Sequence, residues 1–370
     1  MAIRSVAAPA VCELNPYVPG KPLDELEREY GISDAVKLAS NENPLGPAPA
    51  VHAAVEAALS ELHRYPDGSG FYLKQKLAQK LGVQSQQLTL GNGSNDVLVL
   101  LAEAMLTAET SAVFSEYAFL VYPLAVQATG AEALVVSANP AGHEQPLGHD
   151  LEAMLAAIRP DTRLVFVANP NNPTGTWVEQ EALYAFLQHV PENVVVVLDE
   201  AYCEYTDGGE YASVPWLAEF PNLVITRTFS KIHALAGLRV GYAVSSAALA
   251  ELLNRIRQPF NVNSLALVAA EAALASEGHV AESRKLNDDG KLQLAEGLAG
   301  LPVTVIPSRG NFVLLDIGKD AAPVNERLMR AGVIVRPVAN YGLPNHLRVS
   351  IGTQEENEVF LKAFPECFFS

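Results

Sequence analysis

Cysteine is scarce in this chain, and so is positive charge. Three cysteines, Cys12, Cys203 and Cys367, are spread over 370 residues with no C-x-x-C pair. That spacing excludes a disulfide framework and a zinc knuckle, and it implies free thiols in a reducing compartment. Lysine and arginine number 25 against 42 aspartates and glutamates, a net charge of −17. A phosphate backbone needs a basic face, so nucleic acid is not expected as a partner. An anionic small molecule needs only a few well-placed arginines, so it stays open. The eight histidines show no H-E-x-x-H or other ligand spacing, and no metal is expected. No apolar run is long enough to span a bilayer. The stretch from Met1 to Leu14 is alanine-rich, but Pro9 and Glu13 break it, which does not fit a leader peptide. The cytoplasm is the expected compartment.

What remains is ordinary soluble composition, 49% hydrophobic and 18% charged, in a chain long enough for two domains. Residues 1–35 read as an N-terminal arm rich in proline and glycine, packing with the smaller domain. Val51, Val55, Leu59 and Leu62 share one helical face. Short apolar runs then alternate with helix-length segments. Ser111–Phe114, Ala133–Val136, Leu164–Ala168, Val194–Leu198, Leu223–Thr226 and Val240–Val244 read as strands, several apolar throughout, as strands buried on both faces are. The expected class is α/β: residues 36–258 form a large domain with a mainly parallel sheet. Residues 259–370 form a smaller α+β domain, with strands near Val303–Ile306, Phe312–Leu315, Val333–Arg336 and Leu347–Ser350.

Four segments carry chemistry. In Thr228-Phe229-Ser230-Lys231, followed by Arg239, a lysine amine able to form a Schiff base with an aldehyde lies near hydroxyls and a guanidinium suited to a phosphate. A solvated surface lysine is the bland alternative, but Phe229, Ile232, Leu235 and Leu238 are too apolar for an open loop. Asp199 follows a buried strand, where ligands of open parallel sheets bind. A carboxylate there can keep a pyridine nitrogen protonated, and a helix N-cap would account for it equally well. Tyr202 lies three residues further on. Gly91-Asn92-Gly93-Ser94-Asn95-Asp96 runs into an apolar helix and offers backbone N–H groups to a phosphate. Asn169-Pro170-Asn171-Asn172-Pro173-Thr174-Gly175 leaves its strand abruptly and can hold Asn172 toward a ligand, or serve simply as a turn.

These segments occur in the order found in the fold-type I pyridoxal-phosphate (PLP) enzymes, and the resemblance covers essentially the whole chain. It is strongest to the histidinol-phosphate aminotransferase branch of the class I/II aminotransferases. Asn15-Pro16-Tyr17-Val18-Pro19-Gly20, Ser40-Asn41-Glu42-Asn43-Pro44, Arg64-Tyr65-Pro66-Asp67 and His346-Leu347-Arg348-Val349-Ser350 match that branch. Three places depart from its pattern: Asn95-Asp96, His233-Ala234, and Ser115-Glu116 before Tyr117.

The resemblance implies that Lys231 carries pyridoxal 5'-phosphate and moves the proton. Asp199 would pair with the ring nitrogen, Asn172 and Tyr202 with the ring oxygen, and Tyr117 would stack on the ring. Gly93, Ser94, Asn95, Thr228, Ser230 and Arg239 would hold the phosphate, with Tyr65 reaching it from the second subunit of a homodimer. Arg348 would bind the substrate anion, assisted by Arg336 and Tyr17, with Asn43 and Asn311 nearby. The implied reaction moves an amino group between L-histidinol phosphate and 2-oxoglutarate, a step of histidine biosynthesis. The alternatives are an aromatic amino-acid aminotransferase and a decarboxylase of a phosphorylated amino acid. A regulator that binds the cofactor without turnover usually carries a fused DNA-binding domain, and the strongly acidic charge and the retained Lys231 argue against that reading. A nicotinamide dehydrogenase needs a third glycine where Asp96 stands.

Overall fold

The computed structural model describes residues 5–16, 20–21, 23–206 and 213–370. Strand β1 (Val36–Lys37) is short. Seven further strands follow: β2 (Leu88–Gly91), β3 (Ser111–Ser115), β4 (Glu132–Val136), β5 (Thr162–Ala168), β6 (Val195–Asp199), β7 (Leu223–Thr228) and β8 (Gly241–Ser245). They form one sheet in the order β2-β8-β7-β6-β5-β3-β4. All pairs are parallel except the two made by β8. The carboxyl ends of β5, β6 and β7 therefore lie side by side on one edge.

The apolar runs have a simple cause. Val165 and Val167 enter one core with Val196, Leu198 and Ile225. Leu164, Phe166 and Ala168 enter a second core with Val195, Val197 and Val224. Alternate residues thus face opposite layers of helices, and each buried Val, Leu or Phe contributes roughly 1.5–3 kcal/mol.

Strands β9 (Thr304–Ile306), β10 (Phe312–Asp316), β11 (Val333–Ile334), β12 (Arg336–Val338) and β13 (Leu343–Ser350) belong to the C-terminal third. There β12, β13, β10 and β9 form an antiparallel sheet, while β11 pairs with β1. Leu38, just after β1, is in the core of this C-terminal layer with Leu315, Val349 and Phe360. So the chain from β1 onward bridges the two layers, although the sequence assigns residue 36 to the large domain. The helix starting at Pro49 ends at Ala58, and a 3₁₀ turn follows. Leu59 and Leu62 consequently leave the expected face and are exposed. Strand β2 is too short, and too close to Gly91, to stand out in the sequence.

Beneath the edge where β6 and β7 end, Arg227 and Glu200 form a fully buried ion pair. Arg227 Nε donates to Glu200 Oε2 at 2.8 Å, and Ser213 Oγ donates to Glu200 Oε1. Removing one member leaves a buried charge uncompensated. Glu200→Ala is expected to lower stability by about 3–5 kcal/mol, read as a drop in the urea midpoint at constant slope. Replacing both residues by methionine is expected to recover much of that loss.

Candidate functional site

The carboxyl edge of the large sheet opens into a cavity of about 220 Å³. Each strand end supplies one wall. β5 ends at Ala168 and passes into Pro170 and Asn172; β6 ends at Asp199, with Ala201 and Tyr202 beyond; β7 ends at Thr228, before Ser230 and Lys231. The C-terminal third contributes Arg336, Tyr341 and Arg348 to the lining.

Lys231 Nζ donates to the Ser40 carbonyl at 3.3 Å and sits 5.7 Å from the Tyr202 ring centre. Burial, reinforced by the positive field of Arg348, lowers its pKa to about 7. A substantial fraction of this amine is therefore neutral and nucleophilic near neutral pH.

Asp199 is buried, and its two oxygens have separate partners. Tyr122 Oη donates to Oδ2 at 2.8 Å and Thr226 Oγ1 donates to Oδ1 at 3.0 Å. Burial raises its pKa, and these donors oppose the rise. A cationic partner in the cavity would hold the carboxylate ionised.

Ser94 opens the helix Ser94–Met105, with Gly93 at the N-cap holding a positive φ of 81°. Here glycine is required twice over. A β-carbon at Gly93 would lie 2.2 Å from Arg239 Nη2. Arg239 Nη1 donates to Ser230 Oγ at 3.2 Å, and the Ser230 N–H donates to Thr228 Oγ1 at 3.1 Å. A helix N-terminus, two hydroxyls and a guanidinium converge on one place, which is the donor set a phosphate monoester needs.

The arrangement of the opposite wall follows from strand register. Arg336 and Arg348 are direct cross-strand partners, so they share a face. Arg348 is held firmly: Nη2 donates to the Ala39 carbonyl at 2.6 Å and Nη1 to Asn172 Oδ1.

Eleven expected residues line this cavity: Ser94, Asn95, Asn172, Asp199, Tyr202, Thr228, Ser230, Lys231, Arg239, Arg336 and Arg348. Others do not. Phe119 takes the wall position expected of Tyr117, whose ring joins the cluster of Ile306, Leu314 and Tyr341. The irregular Ser115-Glu116 before Tyr117 was the available sign of that shift. Asn43 is a staple instead of a lining residue, since its Nδ2 donates to the Ile232 carbonyl and to Ser283 Oγ, both at 2.8 Å. Asn311 likewise donates to the Asn41 carbonyl at 3.0 Å. Tyr65 is 83% exposed, away from the cavity, and stacks on Phe260 at 4.8 Å. Tyr17 lies outside the described residues. Sequence reasoning missed Asn41, Phe119, Tyr122 and Tyr341. Among the described residues, no group of three or more His, Cys, Asp or Glu side chains could hold a metal, and no helix is long and apolar enough to cross a membrane.

An aldehyde that also bears a pyridine nitrogen and a phosphate finds a partner for each group here: amine, carboxylate and anion cup. This sheet and this site define a fold-type I pyridoxal-phosphate enzyme. The family described as aminotransferase class I and II matches residues 33–364, and the chain belongs to it. It is 59% identical to histidinol-phosphate aminotransferase 2 of Pseudomonas aeruginosa, covering 97% of this chain and 96% of that one. It is 55% identical to histidinol-phosphate aminotransferase 2 of Methylococcus capsulatus, with 98% of each covered. In structure it resembles the histidinol-phosphate aminotransferase of Sinorhizobium meliloti, solved in complex with pyridoxal 5'-phosphate. The TM-score is 0.90 at 31% identity, covering 99% of this chain and 98% of that one.

The cradle yields a direct test. Gly93→Ala drives a methyl into the Arg239 guanidinium, so cofactor affinity is expected to fall by at least about tenfold, equivalent to one lost charge-assisted bond. Fluorescence titration of the apo protein with pyridoxal 5'-phosphate measures this. Unchanged affinity would contradict the assignment of the cup.

Proposed function

We propose that this protein is a histidinol-phosphate aminotransferase. It moves an amino group between L-histidinol phosphate and 2-oxoglutarate, giving imidazole-acetol phosphate and L-glutamate, or the reverse in biosynthesis. The observation that supports this reading most is the pair of arginines, Arg336 and Arg348, facing the same cavity as the Lys231 amine. One substrate presents a phosphate and the other a carboxylate, and guanidinium forks accept either anion.

Pyridoxal 5'-phosphate, when bound, supplies an electron-withdrawing ring that stabilises negative charge on the substrate carbon. The chain does the rest. Ser94, Asn95, Thr228, Ser230 and Arg239 anchor the phosphate. Asp199 keeps a positive charge on the ring nitrogen, and Tyr122 and Thr226 aim its carboxylate. Asn172 and Tyr202 address the ring oxygen, and Phe119 provides an apolar wall. Lys231, whose pKa burial lowers to about 7, would take a proton from the substrate carbon and return it beyond the amino nitrogen, a 1,3 shift. Arg348 orients both substrates; Arg336, with Tyr17, adds donors for the more highly charged phosphate.

The active unit in this reading is a homodimer, with Tyr65 completing the phosphate site of the partner. Supporting it, Leu62, Tyr65, Phe71, Tyr72 and Phe260 are all exposed, and Tyr65 stacks on Phe260. Exposed large apolar side chains of this kind commonly mark an interface. Sedimentation at assay concentration is expected to show a dimer, and Tyr65→Phe to weaken cofactor binding. A fully active monomer would overturn this part of the reading.

The substrate assignment has its own experiment. Arg336→Ala is expected to lower kcat/KM about 10- to 150-fold with histidinol phosphate and far less with phenylalanine, as loss of a charge-assisted phosphate contact requires. Equal losses would remove the phosphate argument. A wild-type enzyme that prefers phenylalanine would make it an aromatic amino-acid aminotransferase.

A further inference from the structure

Asn41 is buried, lines the cavity, and holds a left-handed backbone, φ 54°, which few residues other than glycine and asparagine adopt readily. Four hydrogen bonds fix it. Its N–H donates to Ser350 Oγ at 2.8 Å, and Ser350 Oγ donates back to Asn41 Oδ1 at 3.0 Å. Its carbonyl accepts from Asn311 Nδ2 at 3.0 Å, and its own Nδ2 donates to Tyr202 Oη at 3.0 Å.

The orientation of the amide sets these directions. With Oδ1 turned to Ser350, the Ser350 hydroxyl accepts the Asn41 N–H and gives its single proton to Asn41 Oδ1. Nδ2 then faces Tyr202. An amide N–H can only donate, so the Tyr202 oxygen must accept. Its own proton then has no protein acceptor among the described residues, and the cavity is its open side. Without this amide, Tyr202 could turn its proton to whichever acceptor lay nearest.

We propose that Asn41 is a positioning residue that sets the direction of the Tyr202 proton, so that Tyr202 donates to the ring oxygen of the bound cofactor. This rests on the reading of Tyr202 given above. Asn41 also ties Tyr202 to Ser350, two residues along β13 from Arg348, so the alignment depends on the strand that binds the substrate anion. The left-handed backbone makes the arrangement specific, since a branched side chain could not take this place without strain.

The test uses the holoenzyme, with Asn41→Asp, Asn41→Gly and Tyr202→Phe made singly and each Asn41 change combined with Tyr202→Phe. Asn41→Asp keeps the shape but offers only acceptors, drawing the Tyr202 proton away from the cavity. Asn41→Gly keeps the left-handed backbone and removes the amide. Two quantities are read: the pH midpoint of the visible absorbance change of the holoenzyme, and the dissociation constant for pyridoxal 5'-phosphate from the apo protein. A poorer donor disfavours the form whose ring oxygen carries full negative charge. The midpoint is therefore expected to rise by about half a unit to one unit in each single variant, with affinity falling about two- to tenfold.

In the Tyr202→Phe background, either Asn41 change is expected to add nothing to the midpoint shift. If Tyr202→Phe alone leaves the midpoint in place, both the Tyr202 reading and this inference fail. If Tyr202→Phe shifts it but Asn41→Asp does not, the inference fails alone. Equal shifts from Asn41→Asp in both backgrounds would mean that Asn41 acts by another route, and would also overturn it.

Discussion

A lysine amine withdrawn from water, with two arginines in its field and no carboxylate in salt-bridge contact among the described residues, is the constraint that shapes the rest of this molecule. Burial lowers the Lys231 pKa to about 7 and keeps the amine ready to react. Such a group is costly to hold unless the surrounding frame is rigid. The frame is the sheet, in whose parallel part Asp199 lies between its register partners Ala168 and Thr226. The buried Arg227–Glu200 pair joins β7 to the end of β6 directly beneath them.

The second requirement is separation of charge. Lys231 and Asp199 share the cavity, yet Asp199 spends its oxygens on Tyr122 and Thr226 and makes no ion pair with the lysine. Each group thus stays available to a cofactor. On the other wall, two guanidiniums sit opposite each other on β12 and β13. β12 and β13 belong to the C-terminal layer, whereas Lys231 follows β7 of the large sheet, so the two layers supply opposite walls of the cavity.

How much of this was legible follows from how local each feature is. The strands of the large sheet stood out because both faces are buried, leaving apolar runs such as Leu164–Ala168. Lys231, Arg239, Asp199 and Asn172 sit in short motifs whose chemistry can be read in place. The missed residues act across long separations. Tyr122 reaches Asp199 from 77 residues away, and Asn41 reaches Tyr202 from 161. No spacing rule reveals such contacts. The same limit explains Asn43, which sits in the expected motif but turns toward Ile232 and Ser283. It explains Phe119 too, since only the packing of the wall shows which aromatic of that stretch faces the cavity. The edges of β1, and of the helix ending at Ala58, depended on tertiary pairing in the same way.

The central claim is that Lys231 is the buried amine that holds the cofactor. Borohydride reduction of the protein mixed with pyridoxal 5'-phosphate, followed by peptide mapping, measures it most directly. The pyridoxyl label is expected on Lys231. Its rate of incorporation into apo protein should rise as pH increases through about 7, because the neutral amine is the reactive form. A label on any other lysine, or one on Lys231 whose incorporation rises only near the pH range of an exposed lysine, would contradict the account.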